Sequence, residues 1–143
     1  MNTPLPVEVS DTVPVEIAPI EPVFVRVNGT IPGTAVSGAA FPLYTVPSGM
    51  RLVVEHASAE ATMGLGSTAG FRLTDSGGQT WHVLVAAHQG EFNGSDIYAA
   101  SQDVRFVAGP GEVVQLLVYR SSSAVGTETN TVAGCLSGYL VPE

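Results

Sequence analysis

His56, His82 and His88 are the chain's only imidazoles, and they set how much acid–base or metal chemistry it can support. His82, His88 and Glu91 form a His-x5-His-x2-Glu arrangement of ligand types that suit a first-row transition metal. The spacing works against it. Imidazoles on one strand converge when a single residue separates them, about 7 Å apart, whereas six residues of extended chain hold them roughly 20 Å apart. No metal site is expected, and the three histidines read as surface or hydrogen-bonded structural residues. Glu55 and Glu60 could form a carboxylate pair, but on a regular strand they have opposite parity and cannot face one substrate. They read as surface charges.

Nucleophiles and phosphate cradles are equally poorly supported. The sequence has no Gly-x-Ser-x-Gly elbow, P-loop or Cys/His cluster. The glycine-rich run Gly64-Leu65-Gly66-Ser67-Thr68-Ala69-Gly70 lacks a lysine and a following helix, so it reads as a loop. Cys135 is the lone cysteine, which excludes an intrachain disulfide, and its β-rich surroundings predict a buried structural thiol. Asn28-Gly29-Thr30 and Asn93-Gly94-Ser95 match a glycosylation triplet but read as turns. One loop has binding chemistry: Gln89, Glu91, Phe92, Asn93 and Asp96 put an aromatic ring, able to stack on a sugar, beside amides and carboxylates able to bond its hydroxyls. Calcium through Glu91, Asp96 or Asp103 has too few paired oxygens to be expected. No catalytic residue, metal or cofactor is assigned, and the chain is not expected to be an enzyme.

The elements that must hold these residues are strands. In 143 residues the apolar fraction is 45% and the charged fraction 13%, enough for one hydrophobic core and too apolar for a disordered chain. No apolar run reaches the roughly 18 residues a membrane helix needs, so no membrane insertion is expected. Short runs rich in Val, Leu, Phe and Tyr, punctuated by Gly, Pro, Asn and Asp, predict strands over 23–27, 39–46, 51–62, 70–74, 80–87, 96–101, 103–108, 112–121 and 131–141. No segment carries a helical stripe. The expected fold is all-β, a jelly-roll-like two-sheet sandwich over residues 26–143. Within 112–121, Val114, Leu116 and Val118 share one face while Val113, Leu117 and Tyr119 share the other. A strand apolar on both faces calls for a cover on its outer side, and the nearest source is another copy of the chain.

The first 25 residues are a different kind of segment. They align as three octads, 2–9, 10–17 and 18–25, each ending Pro-Val-x-(Val/Ile): Pro6, Pro14 and Pro22 are followed by Val7, Val15 and Val23, then by Val9, Ile17 and Val25. A period of eight with recurrent proline excludes a helix and predicts an extended arm, each octad supplying a short strand entered through its proline. A lone octad cannot bury its valines, so the arm is expected to mediate oligomerisation or attachment to a larger particle. It carries Glu8, Asp11, Glu16 and Glu21 and no cation before Arg26. The whole chain has a net charge of -8, with five arginines and no lysine, which excludes a phosphate-backbone partner such as nucleic acid.

The opening Asn2-Thr3-Pro4-Leu5-Pro6-Val7 and the Pro-Val-x-Val repeats resemble the N-terminal repeats of a group of bacterial proteins of uncharacterised activity. The body agrees with them at 46–56 (Val-Pro-Ser-Gly-Met-Arg-Leu-Val-Val-Glu-His), at 99–105 and at 136–141. The resemblance runs over most of the chain and brings no catalytic residues with it. The layout, a repetitive arm before a jelly-roll body, is similar to that of fibre heads and self-assembling appendage subunits of phages and bacteria. The expected function is a non-enzymatic self-assembling structural subunit, a homo-oligomer with a trimer favoured. The alternatives are a trimeric carbohydrate- or receptor-binding head and, further off, a cupin-like metal protein. With neither a basic n-region nor an apolar h-region at the N-terminus, a cytoplasmic product is expected, destined for a virion or a surface appendage.

Overall fold

The computed structural model describes residues 20–31, 38–77, 81–120 and 130–143. The first two octads of the arm therefore lie outside the described residues, Pro6, Val7, Val9, Pro14, Val15 and Ile17 with them. Nine strands follow in chain order: β1 Glu21–Ile31, β2 Gly38–Thr45, β3 Met50–Gly64, β4 Ala69–Asp75, β5 Trp81–Leu84, β6 Ala87–Phe92, β7 Ser95–Ala108, β8 Val113–Arg120 and β9 Asn130–Pro142. They form two antiparallel sheets, ordered β1-β9-β3-β7-β6 and β2-β8-β4-β5. The order 1-9-3-7 against 2-8-4-5 is that of a jelly roll, and β6 adds a fifth strand beside β7.

Alternation decides which faces meet. Along β8 every second side chain, Val114, Leu116, Val118 and Arg120, is buried, while Val113, Gln115, Leu117 and Tyr119 are half-covered on the outer side. Leu52, Val54, Met63, Phe71, Leu73, Phe106, Leu116 and Leu136, each at most 1% exposed, fill the space between the sheets. Large and small residues interlock across it. Leu116 projects onto Gly134, where a Cβ would lie 2.6 Å from its Cδ2, and the Phe41 ring occupies the place of a Gly29 side chain. This second contact packs β2 against β1 at one corner of the sandwich.

Four expectations need correction. Residues 80–87 do not form one strand. The chain leaves the four-stranded sheet after Leu84 and enters the five-stranded sheet at Ala87, so His82 and His88 lie in different sheets and share no parity. Residues 96–101 and 103–108 are one strand, β7, because Gln102 continues the ladder opposite Ala57. Asn28-Gly29-Thr30 is mid-strand in β1, where Gly29 makes room for a ring rather than a turn. Finally, β1 begins at Glu21. Pro22, Val23 and Val25 of the third octad thus belong to an edge strand of the sandwich, with Val23 buried.

Candidate functional site

The outer face of the five-stranded sheet gathers most of the polar chemistry, and a bulge in β3 puts it there. Between Val54 and His56 the register of β3 shifts against both β7 and β9. The bulge turns Glu55 and His56 to solvent in succession, so parity reverses along the strand and Glu55 and Glu60 both end on the outer face. That corrects the opposite-face expectation for these two acids. They still do not pair, since five residues of strand hold them roughly 15 Å apart. Across the sheet the bulge aligns Phe24, Ser137, His56 and Asp103 in one lateral row and Arg26, Cys135, Ser58 and Ser101 in the next. Cys135, expected to be a core thiol, is half-buried on this outer face.

In this setting His56 bridges two partners. Its Nδ1 lies 3.0 Å from Asp103 Oδ1 and its Nε2 lies 3.0 Å from Ser101 Oγ. Residue order alone carries no sign of this, because the three residues come together only through the β3–β7 register. Ser–His–Asp in this order is the arrangement of a nucleophile, a base and an orienting acid, and it flanks an open depression of about 490 Å³ lined by Glu55, Arg105 and Tyr139. The electrostatics do not match that chemistry. The Asp103 side chain is 96% exposed and that of His56 42%, so water competes for each hydrogen bond and nothing screens the trio from solvent. The trio ties β3 to β7 at the bulge.

The predicted ligand residues lie on the β6–β7 hairpin. Asn93 and Gly94 form its two-residue turn, both with positive φ (52° and 77°), as a type I′ hairpin turn requires. Gln89, Glu91 and Asn93 are exposed, and the Phe92 ring is 65% exposed. Asp96 is not available with them. Its Oδ2 accepts a hydrogen bond of 2.9 Å from the Gly66 N–H, and its Oδ1 lies 2.9 Å from His88 Nε2. The Gly66 bond first, and His88 second, hold its carboxyl below the usual range. Asp96 thus fastens the hairpin to the β3–β4 connection, and His88, its ring centroid 5.1 Å from that of Tyr98 at a 54° tilt, completes that clasp.

Gln102 is a second clasp that sequence reasoning missed. Its Oε1 accepts from the Val85 N–H at 2.7 Å and its Nε2 donates to the Val83 carbonyl at 3.2 Å. One side-chain amide therefore replaces a neighbouring strand along the free side of β5, where the chain crosses between sheets. Among the described residues no group of three or more His, Cys, Asp or Glu could hold a metal ion.

The outer face of the four-stranded sheet is of another kind. Val83, Arg72, Leu117 and Ala40 form a row across all four strands, with Val83 61% exposed. Exposed Pro42 lies in the next row, opposite Gln115, Val85 follows β5 at 74% exposed, and the Arg72 guanidinium lies 4.8 Å over the Tyr119 ring centroid. The row carries no carboxylate.

Among solved structures the chain is similar to a chain of the "Cyanophage Pam1 capsid asymmetric unit", with a TM-score of 0.53 and 14% identity over 84% of this chain and 85% of that one. The likeness is one of fold. No protein-family profile and no curated protein matches the sequence.

Proposed function

We infer that the protein is a non-enzymatic structural subunit that assembles with copies of itself, its arm serving oligomerisation or attachment to a larger particle of the virion or appendage kind. The observation that carries this reading is the apolar row on the outer face of the four-stranded sheet, where Val83, Leu117 and Ala40 flank a sole charge stacked on an aromatic ring and exposed Val85 follows at the end of β5. A sandwich in isolation wets its outer faces, and an exposed apolar row on one of them marks an interface. The jelly-roll order and its likeness to a phage capsid chain agree with that role.

A trimer packing this face about a threefold axis is the assembly we favour. Light scattering on the full chain should give three times 14.7 kDa, and a mass of 14.7 kDa would refute assembly. A second reading, a carbohydrate-binding head, has one observation in its favour: the exposed Phe92 ring beside Glu91 and Asn93 at the hairpin tip. It predicts hits on a glycan array that disappear in Phe92→Ala.

A further inference from the structure

We propose that the free edge of β1 is the docking site for the arm of a neighbouring copy, which adds one Pro-Val-x-(Val/Ile) octad to the five-stranded sheet as a further strand. This rests on the assembly reading and specifies how the arm would take part in it. The two sheets present four edge strands, β1, β6, β2 and β5. An exposed edge carries unpaired N–H and C=O groups that recruit other chains, and proteins guard against this with proline, bulges or side-chain covers. Three of the four edges are guarded. Gln102 caps β5, Pro42 and a bulge interrupt β2, and a bulge between His88 and Gly90 twists β6. Along the 11 residues of β1 the described structure has no such device beyond Pro22 at the entry.

The same edge also carries apolar side chains that stay partly exposed. Val25 and Val27 point toward the core yet stay only half-buried, as do Ala39 and Phe41 opposite them on β2. Partly exposed apolar side chains therefore line this corner of the sandwich, beside a β1 edge that no described strand pairs.

The third octad shows what an octad does in this fold. Pro22 enters the strand, Val23 and Val25 turn inward, and Phe24 turns outward. Transferred to the second octad, the pattern would set Val15 and Ile17 beside Val25 and Val27 and Glu16 on the outer face, where exposed Arg26 supplies the opposite charge. Cross-strand pairing of Glu16 with Arg26 sets the register. Sequence favours a neighbour's arm over the chain's own. A hairpin back onto β1 would have to turn at Ala18-Pro19-Ile20, which lacks Gly, Asn and Asp, and its proline drives the preceding residue to extended geometry.

The test is disulfide trapping in the full chain carrying Cys135→Ser, Glu16→Cys and Arg26→Cys, with Asn28→Cys in place of Arg26→Cys if that variant does not fold. Mild oxidation should give an interchain species at twice 14.7 kDa or its multiples, in about tenfold excess over a Glu16→Cys, Glu91→Cys control on the β6 edge. A fast-migrating intrachain product would overturn the proposal in favour of the chain's own arm. An oligomeric mass with no trapped species would overturn this docking site while leaving assembly intact. A monomeric mass for the parent chain would overturn both.

Discussion

Gly138→Ala tests the bulge that organises the outer polar face. Gly138 on β9 pairs with Val54 on β3, and a Cβ built there would run into the Val53 carbonyl oxygen and lie 2.9 Å from Val53 C and Val54 Cα. These are backbone atoms in the centre of the sheet and cannot swing away. Carbon–oxygen contacts close at about 3.3 Å, so the two strands must part by more than about 1 Å. That weakens the adjoining ladder bonds, each worth about 1 kcal/mol net and more when left unpaired, and it adds a steric cost of about 1–3 kcal/mol. The expected loss is about 3 kcal/mol or more, a fall in melting temperature of about 10 °C. Gly70→Ala on β4 is the matched control. No atom lies within 4 Å of its Cβ and its φ is not positive, so the substitution should gain about 0.4–1 kcal/mol by restricting the unfolded chain. Urea unfolding of both variants decides the matter. A Gly138→Ala midpoint equivalent to within about 0.5 kcal/mol of the parent would show that β3 and β9 do not approach as described.

Other outcomes follow from single contacts. Asp96 has a depressed folded-state pKa, so its contribution is complete above the unfolded value of about 3.8 and is lost as pH falls through the folded one. Urea midpoints should therefore decline below about pH 5 less steeply in Asp96→Ala than in the parent, and parallel curves would exclude the clasp. Asn130→Leu leaves the buried Gly64 N–H without its 2.9 Å acceptor and should cost about 1–3 kcal/mol by the same assay. Gln102→Leu exposes the backbone of β5, so concentration-dependent association above that of the parent is expected in light scattering. Ser101 should resist a fluorophosphonate probe across pH 6–9, and stoichiometric labelling abolished by His56→Ala would establish a nucleophile where we describe a structural tie.

Much of the architecture could be read along the chain, because period-2 patterning with turn residues between runs is a local property. β8 shows it best: its alternation separates two apolar faces, of which the structure buries Val114, Leu116 and Val118. The Asn93-Gly94 turn was legible for the same reason, since positive φ at two successive positions needs those residue types. The misplaced strand bounds have a common origin. Val85 and Ala86 look like a continuing strand, and Gln102 looks like a break, because composition does not say which sheet a residue joins.

The sequence by itself determined the all-β class, the octad repeat, the absence of a disulfide and an acidic surface without lysine, all of which are set by residue type and near-neighbour order. Only the tertiary structure decided what the polar residues do. Asp96 and Gly66 are 30 residues apart in the chain, and His56 is 45 from Ser101 and 47 from Asp103. The His56 pairs meet through strand register and the Asp96–Gly66 pair through the turn that follows β3, and one bulge in β3 is enough to move Glu55 and Glu60 onto the same face. Register is a property of paired strands, and no single strand carries it.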